Sequence, residues 1–299
     1  MFRSHDLDRS FMISFPKLGA LGRLGNQLFQ YAFVRTTARR LGVPFYCPPW
    51  QGDEIFALDD AAERTQAPGP SQQKYQEPYA NTGFNPPAVQ IIDGSEVQGY
   101  FQTPRYFNAE AVRTWFRFRP SAVEAVARKY ADIDFSDSVG LHLRLGDFIT
   151  TFSEFFYVPT PAYYRQALKR LPRRKHVIVF SDDIPAARRM LKDLGPATIF
   201  IEGNSAHEDL YLQTLCHDFV CSPSTFSWWG AFLNPLADKN IVAPREGLFR
   251  PGSPLHNRDF WPEEWTRVKA MRGLRDHHFF YMRQKRVLHL MAKLQKIGK

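Results

Sequence analysis

The chain has 299 residues, 44% of them apolar and 15% aromatic, enough for one large core or two of ordinary size, and its 23% charged residues exclude wholesale disorder. Its net charge of +9 is confined to one end: ten Lys and Arg between Arg267 and Lys299 face Asp276 alone, so residues 1–266 hold 29 basic and 29 acidic side chains, which disfavours a nucleic-acid binder. The three cysteines, Cys47, Cys216 and Cys221, form no C-x-x-C pair, which argues against a disulfide framework or a zinc site and for buried, reduced thiols.

In chain order, a strand at Phe11–Phe15 leads into a glycine loop, Gly19–Gly25. A helix from Asn26 to Leu41 follows, stopped by Gly42, and a second strand, Val43–Tyr46, completes a β-loop-α-β start. The loop Gly22-Arg-Leu-Gly25-Asn26-Gln27 is neither a G-x-G-x-x-G fingerprint nor a P-loop. It reads either as an ordinary turn capped by Asn26 or as a backbone cradle for a phosphate at a helix start. Residues 48–95, rich in Pro, Gly, Gln and Asn, carry no clear periodicity. Order resumes with a strand at Val97–Gln102 and a helix at Pro104–Phe116, so that residues 1–135 are expected to form a first α/β domain.

The second half alternates short apolar runs with helix-like stretches. Strands are expected at Val139–Leu145, His176–Phe180, Thr198–Ile201, Phe219–Cys221 and Ile241–Ala243. Helices are expected at Pro161–Leu171, Pro185–Leu194, Glu208–Cys216 and Thr225–Leu233. This alternation predicts a parallel, doubly wound, Rossmann-like domain over 136–266, with ligands at the carboxyl ends of its strands. In His142-Leu-Arg144-Leu-Gly-Asp147 the alternation puts His142 and Arg144 on one strand face. Arg144 suits a diphosphate, or else an internal pair with Asp147. Phe180-Ser-Asp182-Asp183 ends another strand, where a carboxylate could hold a ribose or base or cap the next helix. Ser222-Pro-Ser224-Thr225-Phe226-Ser227-Trp228-Trp229-Gly230 joins a strand to a helix start as a further anion site, its tryptophans read as core. Asp132-Ile-Asp134 spells D-x-D but precedes a strand and is discounted as a metal site.

Residues 267–299 read as a basic tail with one amphipathic helix over Met271–Lys299. Val287, Leu290, Met291, Leu294 and Ile297 form its apolar stripe, a pattern suited either to packing on the body or to an anionic membrane surface over 270–299. No run of about 18 apolar residues occurs and no signal peptide opens the chain, so cytoplasmic residence is the expectation.

Taken together, Gly22-Arg-Leu-Gly-Asn-Gln-Leu-Phe-Gln-Tyr-Ala32, Gly99-Tyr-Phe-Gln102, His142-Leu-Arg-Leu-Gly-Asp147, Phe180-Ser-Asp-Asp183 and Ser224-Thr-Phe-Ser-Trp-Trp-Gly230 resemble, in order, the motif series of glycosyltransferase family 11, the α-1,2-fucosyltransferases. Trp261-Pro-Glu-Glu-Trp265 resembles the end of that series. The resemblance implies a GT-B architecture, two Rossmann-like domains facing across a cleft, and an inverting transfer of fucose from GDP-fucose to a galactose-containing glycan without metal or cofactor. It assigns donor binding to Asn26, His142, Arg144, Asp182, Asp183, Ser224, Thr225, Phe226 and Ser227. Catalysis falls to Arg144, with Asp147 first and His142 second as proton acceptor. Many relatives carry a second Arg where this chain has Leu145. Rival readings are a fucosyltransferase of another linkage, a glycoside hydrolase, and a non-catalytic GDP-sugar-binding protein.

Overall fold

The computed structural model describes residues 11–67 and 71–270. Contacts divide the described residues into two compact units, 11–125 with 255–260 and 126–254 with 261–270. The boundary thus falls about ten residues before the one read from sequence, and a short segment returns to the first unit. The reason is a helix at Pro120–Lys129, not anticipated from sequence, which carries the chain from one unit into the other.

The first unit holds a four-stranded parallel sheet of β1 (Ile13–Ser14), β2 (Phe45–Tyr46), β3 (Gln73–Gln76) and β4 (Ser95–Gln98), in the order β2-β1-β4-β3. The helix after β1, α1 (Leu24–Leu41), begins inside the glycine loop with Arg23 as its N-cap, so Asn26 lies within the first turn and is not a cap. It ends as expected: Gly42 takes the left-handed conformation, φ 71°, and its N–H reaches the carbonyls of Ala38 and Arg39. Both faces of α1 are buried, down to Arg35. In 48–95, where no element was read, β3 and two short helices, Gln51–Ile55 and Pro86–Val89, form. β3 is mostly exposed, which explains why no alternation marks it. The helix expected over 104–116 splits into a 3-10 turn at Pro104–Tyr106 and a helix at Ala109–Trp115 capped by Asn108.

The second unit is built on six parallel strands: β5 (Ser138–Leu143), β6 (His176–Ser181), β7 (Thr198–Phe200), β8 (Asp218–Val220), β9 (Ile241–Pro244) and β10 (Thr266–Val268). Their order is β10-β9-β8-β5-β6-β7. The chain steps outward from β5 through β6 to β7, then returns to the other side of β5 and steps outward again. Between β5 and β8 the sheet therefore has a topological switch point, where such sheets open a crevice for ligands. Gly140 lets these two strands close up: a Cβ there would sit 2.4 Å from the Phe219 ring. β10 corrects the sequence boundary at 266/267, since Val268 and Ala270 are buried in this unit's core. The three cysteines are free and buried. Residues 271–299, where the amphipathic tail helix is expected, lie outside the described residues.

Candidate active site at the carboxyl edge of the six-stranded sheet

Three of the sequence motifs follow neighbouring strands. His142 and Leu143 of β5 pair with Phe180 and Ser181 of β6, and Leu141 pairs with Val220 of β8. Arg144, Asp182 and Ser222 thus emerge from the same edge of the sheet, beside the switch point. β5 ends at Leu143, so Arg144 lies just past the strand instead of on its face.

The guanidinium of Arg144 lies between two carboxyl groups. Nη2 donates to Asp147 Oδ1 at 2.7 Å and Nη1 pairs with Asp182 Oδ2 at 3.1 Å. The other oxygen of Asp182 accepts the Leu145 N–H at 2.8 Å, tying β6 to the turn after β5. That turn needs Gly146, because a Cβ there would approach Asp182 Oδ2 to 2.6 Å. Both readings of Arg144 from sequence therefore meet in one arrangement: the internal pair with Asp147 exists, and it fixes a guanidinium whose side chain is still 15% exposed. Leu145 is fully buried, so this position of the motif points into the core. Asp183 turns away as the N-cap of the helix Ile184–Met190, its Oδ1 accepting from Ala186 N–H at 2.9 Å.

His142 is buried beside this group. Its Nδ1 lies 2.8 Å from Ser222 Oγ, and the Ser222 N–H donates to Ser227 Oγ at 3.1 Å. Burial, helped by the nearby charge of Arg144, pushes the imidazole down to about 3, so the ring is neutral throughout the physiological range. Ser224 caps the helix Thr225–Phe232, accepting from Phe226 N–H, and the Phe226 ring sits 5.5 Å from the imidazole. Ser227 is fully buried with its hydroxyl committed to Ser222. Trp228 and Trp229 are fully buried, with Trp228 packed on Phe232 and Trp265, as the core reading expects. Ser222 was visible in the motif but not singled out; a hydroxyl at the end of an otherwise apolar β8 was its signal.

Asn26 belongs to the first unit. Its Oδ1 accepts from Gln102 Nε2 at 2.8 Å, and it packs over Gly22, whose φ of 78° and missing Cβ make room for it. Gln27 donates to the carbonyls of Gly19 and Gly22, and Gln30 to those of Leu21 and Gly99, so α1 itself staples the loop before it. Asp134 of the D-x-D caps a 3-10 turn. Among the described residues no group of three or more His, Cys, Asp or Glu is placed to hold a metal, and no helix is long and apolar enough to cross a membrane.

With this geometry in hand, comparison with known proteins is decisive for the family. Residues 17–266 match the model of glycosyl transferase family 11. The chain belongs to that family. An α-1,2-colitosyltransferase of Escherichia coli is 28% identical over 58% of this chain and 62% of its own length. The O-antigen biosynthesis glycosyltransferase WbnK of Escherichia coli is 33% identical over 42% of this chain and 44% of its own. The chain thus spans less than two thirds of these two relatives. Galactoside α-(1,2)-fucosyltransferase 2 of Oryctolagus cuniculus is 25% identical over 86% of this chain and 77% of its length. Among solved structures, the α-1,6-fucosyltransferase NodZ, soaked with GDP-fucose, superimposes with a TM-score of 0.51 at 15% identity, over 76% of this chain and 93% of that one. The fold is accordingly GT-B, with a Rossmann-like parallel sheet in each unit.

Proposed function

We propose that this family 11 glycosyltransferase moves L-fucose from GDP-fucose to a galactoside hydroxyl, forming an α-1,2 linkage with inversion. The observation that carries the reading is the guanidinium of Arg144, oriented by Asp147 and Asp182 at the switch point of the second unit's sheet. The names of the α-1,2-specific relatives support the linkage. In the proposed reaction the acceptor oxygen attacks the anomeric carbon while its bond to the β-phosphate breaks. The bonding pair leaves with GDP, and the acceptor proton goes to a carboxylate.

Arg144 is assigned to the departing phosphate, since its remaining N–H groups can donate while two carboxyl groups hold its plane. Ser224, Thr225 and Phe226, at a helix start, are assigned to the diphosphate, and Asn26 to a donor contact from the first unit. Asp182, whose two oxygens already meet Arg144 and Leu145, and Asp183, a helix cap, are assigned to shaping the guanine or ribose side of the site. Ser227 acts through Ser222 and His142. Of the two proton acceptors named from sequence, Asp147 is preferred, because its side chain keeps solvent access whereas His142 is buried with Nδ1 against Ser222. The reaction is proposed to need no metal, and residues 270–299 are proposed to rest on an anionic membrane surface.

The deciding experiment is incubation with GDP-fucose and a panel of galactosides, with linkage analysis of the product. An α-1,2-fucosylated galactoside supports the reading. Release of free fucose without transfer, or binding of GDP without turnover, overturns it. The colitosyltransferase relative favours one competing donor, a nucleotide-activated colitose, which is offered to the same panel in place of GDP-fucose.

A further inference from the structure

The first unit buries a carboxyl group that the proposed chemistry leaves unexplained. Glu77 follows β3 and is 2% exposed. Its oxygens accept the backbone N–H of Tyr100 at 2.6 Å and of Phe101 at 3.0 Å, across from the end of the neighbouring strand β4. No Lys, Arg or His pairs with it among the described residues. The titratable groups around it are Tyr75 on its own strand and Tyr100 and Tyr106 on the segment opposite, each held neutral because burial raises it. A buried carboxyl group without a cation is costly and is kept only where its hydrogen bonds have a use.

The segment it holds is strained. Phe101 has φ 51°, the one positive value at a non-glycine residue among the described residues, and it is fully buried. For a bulky aromatic this conformation is a true outlier that the surrounding contacts must hold in place. Stacking on Phe33, with centroids 3.6 Å apart and planes within 2°, pins the ring, while Glu77 pins the backbone. Gly99 is required beneath, since a Cβ there would lie 2.4 Å from that of Glu77. The effect of the reversed φ is to aim the next residue: Gln102 Nε2 reaches Asn26 Oδ1 at 2.8 Å, while its carbonyl accepts from Asn257 Nδ2.

We propose that Glu77 is a positioning residue of the transfer reaction: by clamping the strained Tyr100–Phe101 turn it fixes Gln102, and through Gln102 the side-chain amide of Asn26. This rests on the donor contact proposed for Asn26. The carboxylate form, which offers both oxygens to the two N–H groups, is the stronger clamp. Burial raises Glu77 from the usual carboxylate range to about 7, against the pull of the two backbone N–H groups, so the clamp loosens as pH falls through neutrality.

The test is a double-mutant cycle on the full chain with Glu77→Ala, Glu77→Gln and Gln102→Leu, read as KM for GDP-fucose from about pH 6 to about pH 8. Glu77→Ala and Gln102→Leu are each expected to raise that KM about tenfold, and the double variant no further, because both break one path. Glu77→Gln, which keeps an oxygen acceptor, should stay within about threefold of wild type and lose the wild-type rise in KM below about pH 7. Additive effects, or a pH limb that persists in Glu77→Gln, would overturn the clamp. If Glu77→Ala does not fold, Glu77→Gln and Gln102→Leu still decide through that limb and their coupling. An independent arm follows the Asn26 side-chain amide by NMR in the free protein, where Glu77→Ala or Glu77→Gln should shift it and speed its hydrogen exchange. Should wild type fail to use GDP-fucose, the functional reading falls, and the clamp is then judged by this arm alone: an unmoved Asn26 amide sinks it.

Discussion

Arg144 is held in position by the chain itself, because Asp147 and Asp182 each pair with one of its terminal nitrogens. Preorganised charge of this kind needs no rearrangement when negative charge develops on a leaving phosphate. Arg144→Ala is therefore expected to lower kcat by 10²–10³-fold, on the order of 3–4 kcal/mol, with the melting temperature little changed because both carboxyl partners keep some solvent access. Arg144→Lys should recover little, since an ammonium cannot span two carboxylates and a phosphate in one plane. Activity within a few fold of wild type in Arg144→Ala would remove it from the reaction. Transfer should also survive EDTA; loss restored by added Mg²⁺ or Mn²⁺ would reassign the charge stabilisation to a metal. His142 and Arg144 were legible because two polar side chains at the end of a buried strand contradict its apolar pattern. Their partners were less so. Asp182 is 38 residues from Arg144, and only the parallel register of β5 with β6 brings them together. Glu77 was not legible, since it follows an exposed strand that shows no alternation.

At the scale of elements, apolar runs were read well, and segments that are exposed, charged or irregular were not. The core strands of the second sheet lie within two residues of expectation, whereas β3, β10 and the helix Pro120–Lys129 were missed. β10 went unseen because Thr266-Arg267-Val268 is a charged edge strand whose place is set by pairing with β9, not by its own pattern. Helix α1 shows how an element carries electrostatics invisible to periodicity. Arg35, fully buried, donates to Glu63 at 2.9 Å and to Asp59, and stacks on Trp115. For Glu63 burial works upward, but hydrogen bonds from Arg39 and Arg35 outweigh it and bring the group down to about 2. A depressed folded value means stability present above the unfolded value near 4.5 and lost as pH falls toward 2. Glu63→Gln should therefore cost on the order of 2 kcal/mol at pH 7, leaving Arg35 under-compensated. In denaturant melts the gap to wild type should narrow between about pH 4.5 and pH 2. A gap independent of pH would assign the loss to packing. In the loop before this helix, Gly22→Ala should disturb Asn26, 2.3 Å from the added Cβ, and weaken donor affinity more than stability.

At the scale of the whole molecule, the edge strand β10 decides where the chain can be shortened. Read from sequence, the basic tail begins at Arg267, and a truncation there would seem harmless. Yet Thr266–Val268 forms β10, Val268 and Ala270 are buried, and the Ala270 N–H donates to Glu246 at 2.9 Å. A chain ending at Ala270 is expected to melt like the full protein and to fucosylate a soluble galactoside at an unchanged rate. One ending at Glu264 should lose several degrees, because it exposes the flank of β9 and removes the Ala270 N–H from Glu246. Eight Lys and Arg lie beyond Ala270 against Asp276 alone, and each contributes about 1 kcal/mol near an anionic lipid surface. The full chain should therefore co-sediment with vesicles containing phosphatidylserine at low salt and release at high salt, while the chain ending at Ala270 stays in solution. Equal sedimentation of both forms, or of neither, would refute the membrane proposal. Insolubility of the shorter form, with β10 intact, would instead show that residues 271–299 complete the fold.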